Sequence, residues 1–237
     1  MKNNTLSLLI GLICLFGNAQ RVIEKNIDYD GQHIEMDVKF ANEIDVKTWG
    51  KSTVYFKASI SAKEEKYLNL YSVETNDTNN NITIASNAKP LYKAQREDCL
   101  QINNGDKRKC YNNGDLFEFN YTLYVPKNAK FKISSINGDL KSEVIEGTFT
   151  ADLINGDIDI KEYAGILDLN TINGEIDLKM VNANLVAETI HGDIYADEKL
   201  KFDSTDRHVG QKIMGTVAEG KHTLRLNTIN GNMYLRR

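Results

Sequence analysis

The second half of this chain repeats itself. Ile136-Asn137-Gly138-Asp139-Leu140 is followed by Ile154-Asn155-Gly156-Asp157-Ile158, then Ile172-Asn173-Gly174-Glu175-Ile176. Ile190-His191-Gly192-Asp193-Ile194 and, near the end, Ile229-Asn230-Gly231-Asn232-Met233 complete the series. Gly138, Gly156, Gly174 and Gly192 are 18 residues apart. One more step lands on Gly210, in a degenerate frame, and Gly231 follows 21 residues later, which places a three-residue insertion near 218–221. A fixed period of this length is the mark of an architecture built from stacked units.

Apolar residues fall in columns within the frame. Seven before the glycine are Phe149, Leu167, Leu185 and Leu224; five before are Ile133, Ala151, Leu169, Ala187 and Leu226. Two after are Leu140, Ile158, Ile176, Ile194 and Met233, and four after are Ile160, Leu178 and Leu235. This alternation is the period-2 signature of half-buried strands. Each unit therefore reads strand, Asn-Gly corner, strand, with Asn and Gly chosen for their tolerance of positive φ. The expected fold is all-β, a β-solenoid of about 18-residue coils with irregular N-terminal strands. An antiparallel β-meander or sandwich is the alternative, since Asn-Gly between strands is also a hairpin cue. The isoleucines before Asn favour the solenoid, because a hairpin leaves them as an exposed ladder. A coil can bury them, at about 1.5–3 kcal/mol each.

The first half is strand-like without the period. Ile34–Phe40, Ile44–Trp49, Thr53–Ile60, Asn81–Ala85 and Phe117–Val125 alternate, whereas Ser72–Asn81 and Ala94–Asp115 read as long surface loops and no amphipathic helix stands out. The expected organisation is a signal peptide over 1–19, a strand region with a cysteine loop over 20–130, and the repeats over 131–237. The last two form one continuous domain, 20–237.

The signal rests on Lys2, eleven mostly apolar residues over Leu6–Phe16, and small Gly17 and Ala19 before Gln20. The apolar run is short of the roughly 20 residues of a membrane span. Acylation at Cys14 is the alternative, against which stand the large Leu12 and Ile13 before it. Export leaves Cys99 and Cys110 in an oxidising compartment, bracketing a polar turn, and predicts a disulfide between them. A net charge of -4 in 237 residues gives no basic field for nucleic acid. Two prolines and 16 glycines exclude collagen-like and Pro-rich architectures.

From Tyr121 through the first repeat to Leu140, and again over Gly220–Leu235, the chain resembles the bacterial "putative adhesin" domains. The Ile44–Trp49 strand resembles them too. These are exported β-strand-repeat domains of unknown function. The resemblance implies a β-solenoid in the cell envelope, in the periplasm or at the cell surface, and brings no catalytic residue.

No catalytic, cofactor or metal residues are expected. Asp139, Asp157, Glu175 and Asp193 share a column that a calcium ion would need, but each reads more simply as a carboxylate serving its own corner and facing water. Asn137, Asn155 and Asn173 form a candidate amide ladder that His191 interrupts. His33, His191, His208 and His222 occupy different frames, so they do not assemble a zinc site. Tyr67, Tyr71, Tyr92 and Tyr111 near the loops are candidate contact residues or packing. The function expected is a non-catalytic exported envelope protein, adhesin-like or scaffold, binding a protein or glycan partner. The alternatives are a sensing or assembly partner using the Cys99–Cys110 loop and, less favoured, a polysaccharide-active enzyme.

Overall fold

The computed structural model describes residues 19–110, 116–206 and 209–237. The segment read as a signal, up to residue 18, lies outside them, as do Tyr111 and His208. The chain is mostly β. In order come β1 (Ala19–Asp28), β2 (His33–Asp37), β3 (Phe40–Trp49), β4 (Thr53–Ala62), β5 (Ser72–Asp77) and β6 (Asn81–Asn87). Helix α1 (Lys89–Ile102) follows, then β7 (Phe117–Pro126), β8 (Ala129–Asn155), β9 (Ile158–Asn173), β10 (Ile176–Lys179) and β11 (Ala183–Thr189). The chain ends with β12 (Ile194–Ala196), β13 (Asp203–Asp206), β14 (Gln211–Val217), β15 (His222–Asn230) and β16 (Met233–Arg236).

The repeats pair in parallel, layer upon layer. Leu140 is opposite Ile158 and Phe149 opposite Leu167 in the β8–β9 ladder; Ile158 is in turn opposite Ile176. The Asn-Gly units are corners between sides of a stack, not hairpins. Strands β2 and β3 add a layer before residue 131, since Ile34 pairs with Phe131 and Ile44 with Leu140, both in parallel. Strands β6 and β7 extend the same two sides, with Ile34 opposite Ile82 and Ile44 opposite Tyr121. Antiparallel β4 and β5 then flank them, and β1 lies outside β4.

The columns read from sequence form the core. Phe149, Leu167, Leu185 and Leu224 are buried, as are Ile133, Ala151, Leu169, Ala187 and Leu226. One apolar cluster runs from Ile34 to Leu235. Phe131 and Phe149 stack with ring centroids 4.5 Å apart. Near the first layers Tyr71 and Tyr121 pair hydroxyl to hydroxyl at 3.0 Å, and burial pushes both phenols up.

Four expectations fail, each for a physical reason. The isoleucines before Asn do not enter the core: Ile154, Ile172 and Ile229 are 39% exposed, Ile190 41%, and Ile136 is half-buried. Alternation continues to the third residue before the glycine, where Thr171, Thr189 and Thr228 point inward; the next residue therefore points out. Second, the stack is not sequential. The last unit, β15–β16, inserts between β9–β10 and β11–β12: Leu224 is opposite both Leu167 and Leu185, and Met233 opposite both Ile176 and Ile194. The Gly210 frame is no layer at all, because β14 runs antiparallel to β11 and β13 antiparallel to β14. Third, residues 89–102, mostly within the expected loop, are helical. Pro90 sits in its first turn, and only Leu91 and Gln95, one turn apart, are buried, so its apolar face is too thin to show as periodicity. Fourth, most of 72–81 is strand β5, whose outward side chains hide the alternation.

The corner glycines are also required for a reason other than φ. Only Gly138 among them has positive φ, +122°. At Gly156, Gly174, Gly231 and Gly192 a Cβ would overlap the carbonyl oxygen of the glycine one layer away, in the order 138, 156, 174, 231, 192. Cys99 and Cys110 are joined by a disulfide, with Cα atoms 5.8 Å apart, tying the end of α1 to the Lys107–Cys110 turn.

Gly174→Ala is therefore expected to destabilise by at least about 2 kcal/mol, as overpacking against backbone does, whereas Ile172→Asp stays within about 1 kcal/mol of wild type; chemical unfolding of both variants checks this. Reducing the disulfide, which closes about a dozen residues, is expected to cost roughly 3 kcal/mol in the same assay. Free thiols at both positions in protein recovered from the envelope would contradict the bond.

Candidate binding face

The outward isoleucines make the most distinctive surface of the repeats. Strands β8, β9, β15 and β11 are neighbours in that order, so Ile154, Ile172, Ile229 and Ile190 form a ladder with rungs about 4.8 Å apart. Two residues earlier on each strand, and so on the same face, stand Asp152, Asn170, Asn227 and Glu188. Between the columns lies a groove of about 450 Å³, floored by Leu153, Thr171 and Thr228. Its size is that of small-molecule and short-polymer sites.

The walls are held rigid by ladders of side chains. Asn227 donates its amide to Asn170 at 2.7 Å, and Asn170 donates to Asp152 at 3.0 Å. Beyond the isoleucines runs a second ladder at the corners: Asn155 donates to Asn137, Asn173 to Asn155 and Asn230 to Asn173, at 2.7–2.9 Å. His191 ends it; its backbone N–H donates to the Ile229 carbonyl. Beneath, the Thr171, Thr228 and Thr189 hydroxyls each donate at 3.0 Å to the carbonyls of Gly156, Gly174 and Gly231. These threonines, with Ser135, occupy a column three before the glycine that a search for apolar residues passes over.

The carboxylate column works between layers, not within its own corner. The Asp157 N–H donates to Asp139, the Glu175 N–H to Asp157, the Asn232 amide to Glu175, and the Asp193 N–H to Asn232. One oxygen of each acceptor thereby serves a neighbouring layer. Among the described residues no three His, Cys, Asp or Glu side chains gather as a metal site. His33, His191 and His222 stay apart, and His222 Nδ1 accepts the Gly165 N–H.

Charges around the groove are matched. Lys132 pairs with Asp152 at one end and Lys212 with Glu188 at the other; the Asp152 carboxylate holds the Lys132 ammonium above its ordinary pKa. In the column beside Asn170 and Asn227, Asp168 is directly opposite Arg225.

Elsewhere, Tyr67 and Tyr71 are buried and Tyr92 packs on Phe40, Phe117 and Phe119, so these tyrosines are core. By the disulfide, Ile102 is 80% exposed next to a cavity of about 200 Å³ lined by Tyr67, Asp98 and Phe117. Lys66 and Tyr67 hydrogen-bond Asp98 there and hold its carboxyl below the usual range. No helix among the described residues is long and apolar enough to cross a membrane.

No curated protein matches the chain. A solved structure described as a "putative cell adhesion protein" from Clostridium sporogenes superposes with a TM-score of 0.55 at 10% identity, covering 92% of this chain and 99% of its own. A "putative adhesin" from Parabacteroides distasonis gives 0.34 at 11% identity, over 90% of this chain and 67% of its own. Another from Parabacteroides merdae gives 0.31 at 13%, over 90% and 79%. The first likeness supports the shared fold alone; the other two carry no argument. Residues 126–236 match a family model, and over that span the chain carries a Toastrack DUF4097 domain, a domain of unknown function.

Proposed function

We propose that this chain is an exported, non-catalytic envelope protein, an adhesin-like or scaffold β-solenoid of 18-residue coils that binds a protein or glycan partner. One observation carries the reading. Four isoleucines, spaced by one strand and walled by amides, stand outward on one face of the stack. A contiguous apolar strip with a polar border is the usual mark of an interaction surface. The adhesion name of the Clostridium sporogenes structure agrees with this reading. Export to the periplasm or cell surface rests on Lys2 and the Leu6–Phe16 run, with cleavage after Ala19. Residues 20–237 act as one unit, because the 20–130 strands and the 131–237 repeats share the apolar cluster. A second reading, a sensing or assembly contact through the Cys99–Cys110 loop, draws on exposed Ile102.

Wild-type chain is expected to retain an envelope component in a pull-down, and Ile172→Asp to lose it while unfolding normally. Retention by Ile172→Asp together with loss on Ile102→Asp would favour the loop instead. Incubation with envelope and plant polysaccharides is expected to release no fragments; measurable cleavage would overturn the non-catalytic reading. Cell fractionation is expected to recover chain beginning at Gln20 outside the cytoplasm, and cytoplasmic chain that keeps Lys2 would contradict export.

A further inference from the structure

Away from the repeats, the first layers carry three aromatic rings on their solvent side. Strand β3 buries Ile44, Val46 and Thr48, β4 buries Val54 and Phe56, and β7 buries Leu123 and Val125. Alternation therefore sends Trp49, Tyr55 and Tyr124 outward, and all three are half-buried. Strands β4, β7 and β3 are neighbours in that order, which gathers the rings into one slab. Ring centroids are 4.9 Å apart for Trp49 and Tyr124, 5.7 Å for Tyr55 and Tyr124, and 6.3 Å for Trp49 and Tyr55. The Trp49 indole N–H donates to the Thr53 carbonyl at 2.7 Å, and the Tyr55 hydroxyl donates to Glu24 at 3.0 Å. The rings are thus held in place before any ligand arrives, which lowers the cost of binding.

The slab is small and its border is polar. Asn26 stands beside Tyr55, and Lys47 beside Tyr124, in one row across the strands. Glu24, Lys57, Thr122 and Asp45 make up the next row. Three rings fall well short of the roughly 1,000 Å² that a specific protein interface buries. They match instead the flat C–H face of a sugar ring, whose slightly positive hydrogens meet the negative face of an aromatic ring.

Charge narrows the ligand further. The Lys47 ammonium is 2.9 Å from Asp45 and so is already neutralised. The exposed Lys51 ammonium lies 4.5 Å from the centre of the Trp49 ring and forms no ion pair with a carboxylate among the described residues. We propose that Trp49, Tyr55 and Tyr124 form a second binding site, for an acidic saccharide whose pyranose ring carries a carboxylate. The C–H face of the sugar takes the place of the Lys51 ammonium on Trp49, and the ammonium swings to the carboxylate. An exposed cation–π contact is weak enough to be exchanged in this way. The site shares no residue with the isoleucine face, so the two readings stand or fall separately.

Trp49 is the single tryptophan of the chain, and its emission reports on this site alone. The purified exported chain is titrated at constant ionic strength with the methyl glycosides of glucuronate, galacturonate and mannuronate, each beside the neutral sugar of the same ring. At least one uronide is expected to change the emission saturably in the millimolar range. It should bind about three- to fivefold more tightly than its neutral counterpart, as one exposed ion pair allows. Acetate is expected to leave the emission unchanged. Lys51→Ala is expected to make the two sugars bind alike and Lys51→Glu to reverse the preference, which a merely structural lysine would not do. Saturation transfer from protein to uronide, read by NMR, is expected to be lost in Trp49→Leu and kept in Ile172→Asp. Emission that no sugar changes, acetate acting as the uronides do, or a preference that is absent in wild type or survives Lys51→Ala overturns the inference. So does loss of the uronide in Ile172→Asp, which would move the sugar to the isoleucine face. An envelope protein retained by wild type and lost by Lys51→Glu, with no response to any sugar, would make the slab a protein contact and overturn it as well.

Discussion

The structure depends on one contact, the approach of a corner glycine to the carbonyl oxygen of the glycine in the next layer. Parallel strands stack at about 4.8 Å only if nothing at the corner holds them apart. At Gly156, Gly174, Gly231 and Gly192 the space a methyl group would take is already filled by that oxygen. Once the corner closes, the rest falls into register. Asparagine amides bond layer to layer on the outside, carboxylates accept from neighbouring layers, and threonine hydroxyls satisfy the same glycine carbonyls from within. The first layer uses another small residue to the same end, since Ala41 packs directly against Gly138.

Rigidity at the corner explains the face. Strands fixed at both ends by ladders cannot rotate to bury a residue of the wrong parity, so Ile154, Ile172, Ile229 and Ile190 remain outside. Their methyl groups form a regular apolar strip whose borders are hydrogen-bonded and whose charges are balanced. Such a surface needs no rearrangement on binding, which keeps the ordering cost of association low.

Much of the repeat was legible because period 18 and period 2 are both carried by single residues: Leu167, Leu169, Ile176 and Leu178 fall where the alternation puts them. The orientation of Ile172 is not legible from its apolar character, because an apolar side chain does not by itself demand burial. Thr171, the inward residue beside it, is polar and gave no such signal, yet its hydroxyl has a glycine carbonyl to meet. Layer order was not legible. Offsets of 57 and 39 residues join β15 to its neighbours, and nothing in a periodic sequence distinguishes insertion from simple succession. The first layers show no 18-residue period because β2 and β3 lack an Asn-Gly corner and carry a register shift between Phe40 and Glu43. Helix α1 was missed because only Leu91 and Gln95 face the core. The isoleucine face is legible as residues, but the side it occupies is set by the strand alternation.

Layer order is the point at which the account is most exposed, since the isoleucine ladder and the corner contacts follow from it. Asn173 and Asn230 are direct cross-strand partners, with side chains bonded at 2.7 Å, while Asn173 and His191 are separated by the inserted layer. Cysteines placed by pairs at these positions report the order through cross-linking, because a disulfide requires Cα atoms within about 7 Å. The account predicts that Asn173→Cys with Asn230→Cys cross-links readily and that Asn173→Cys with His191→Cys does not. A bond in the second pair and none in the first would show a sequential stack and contradict it.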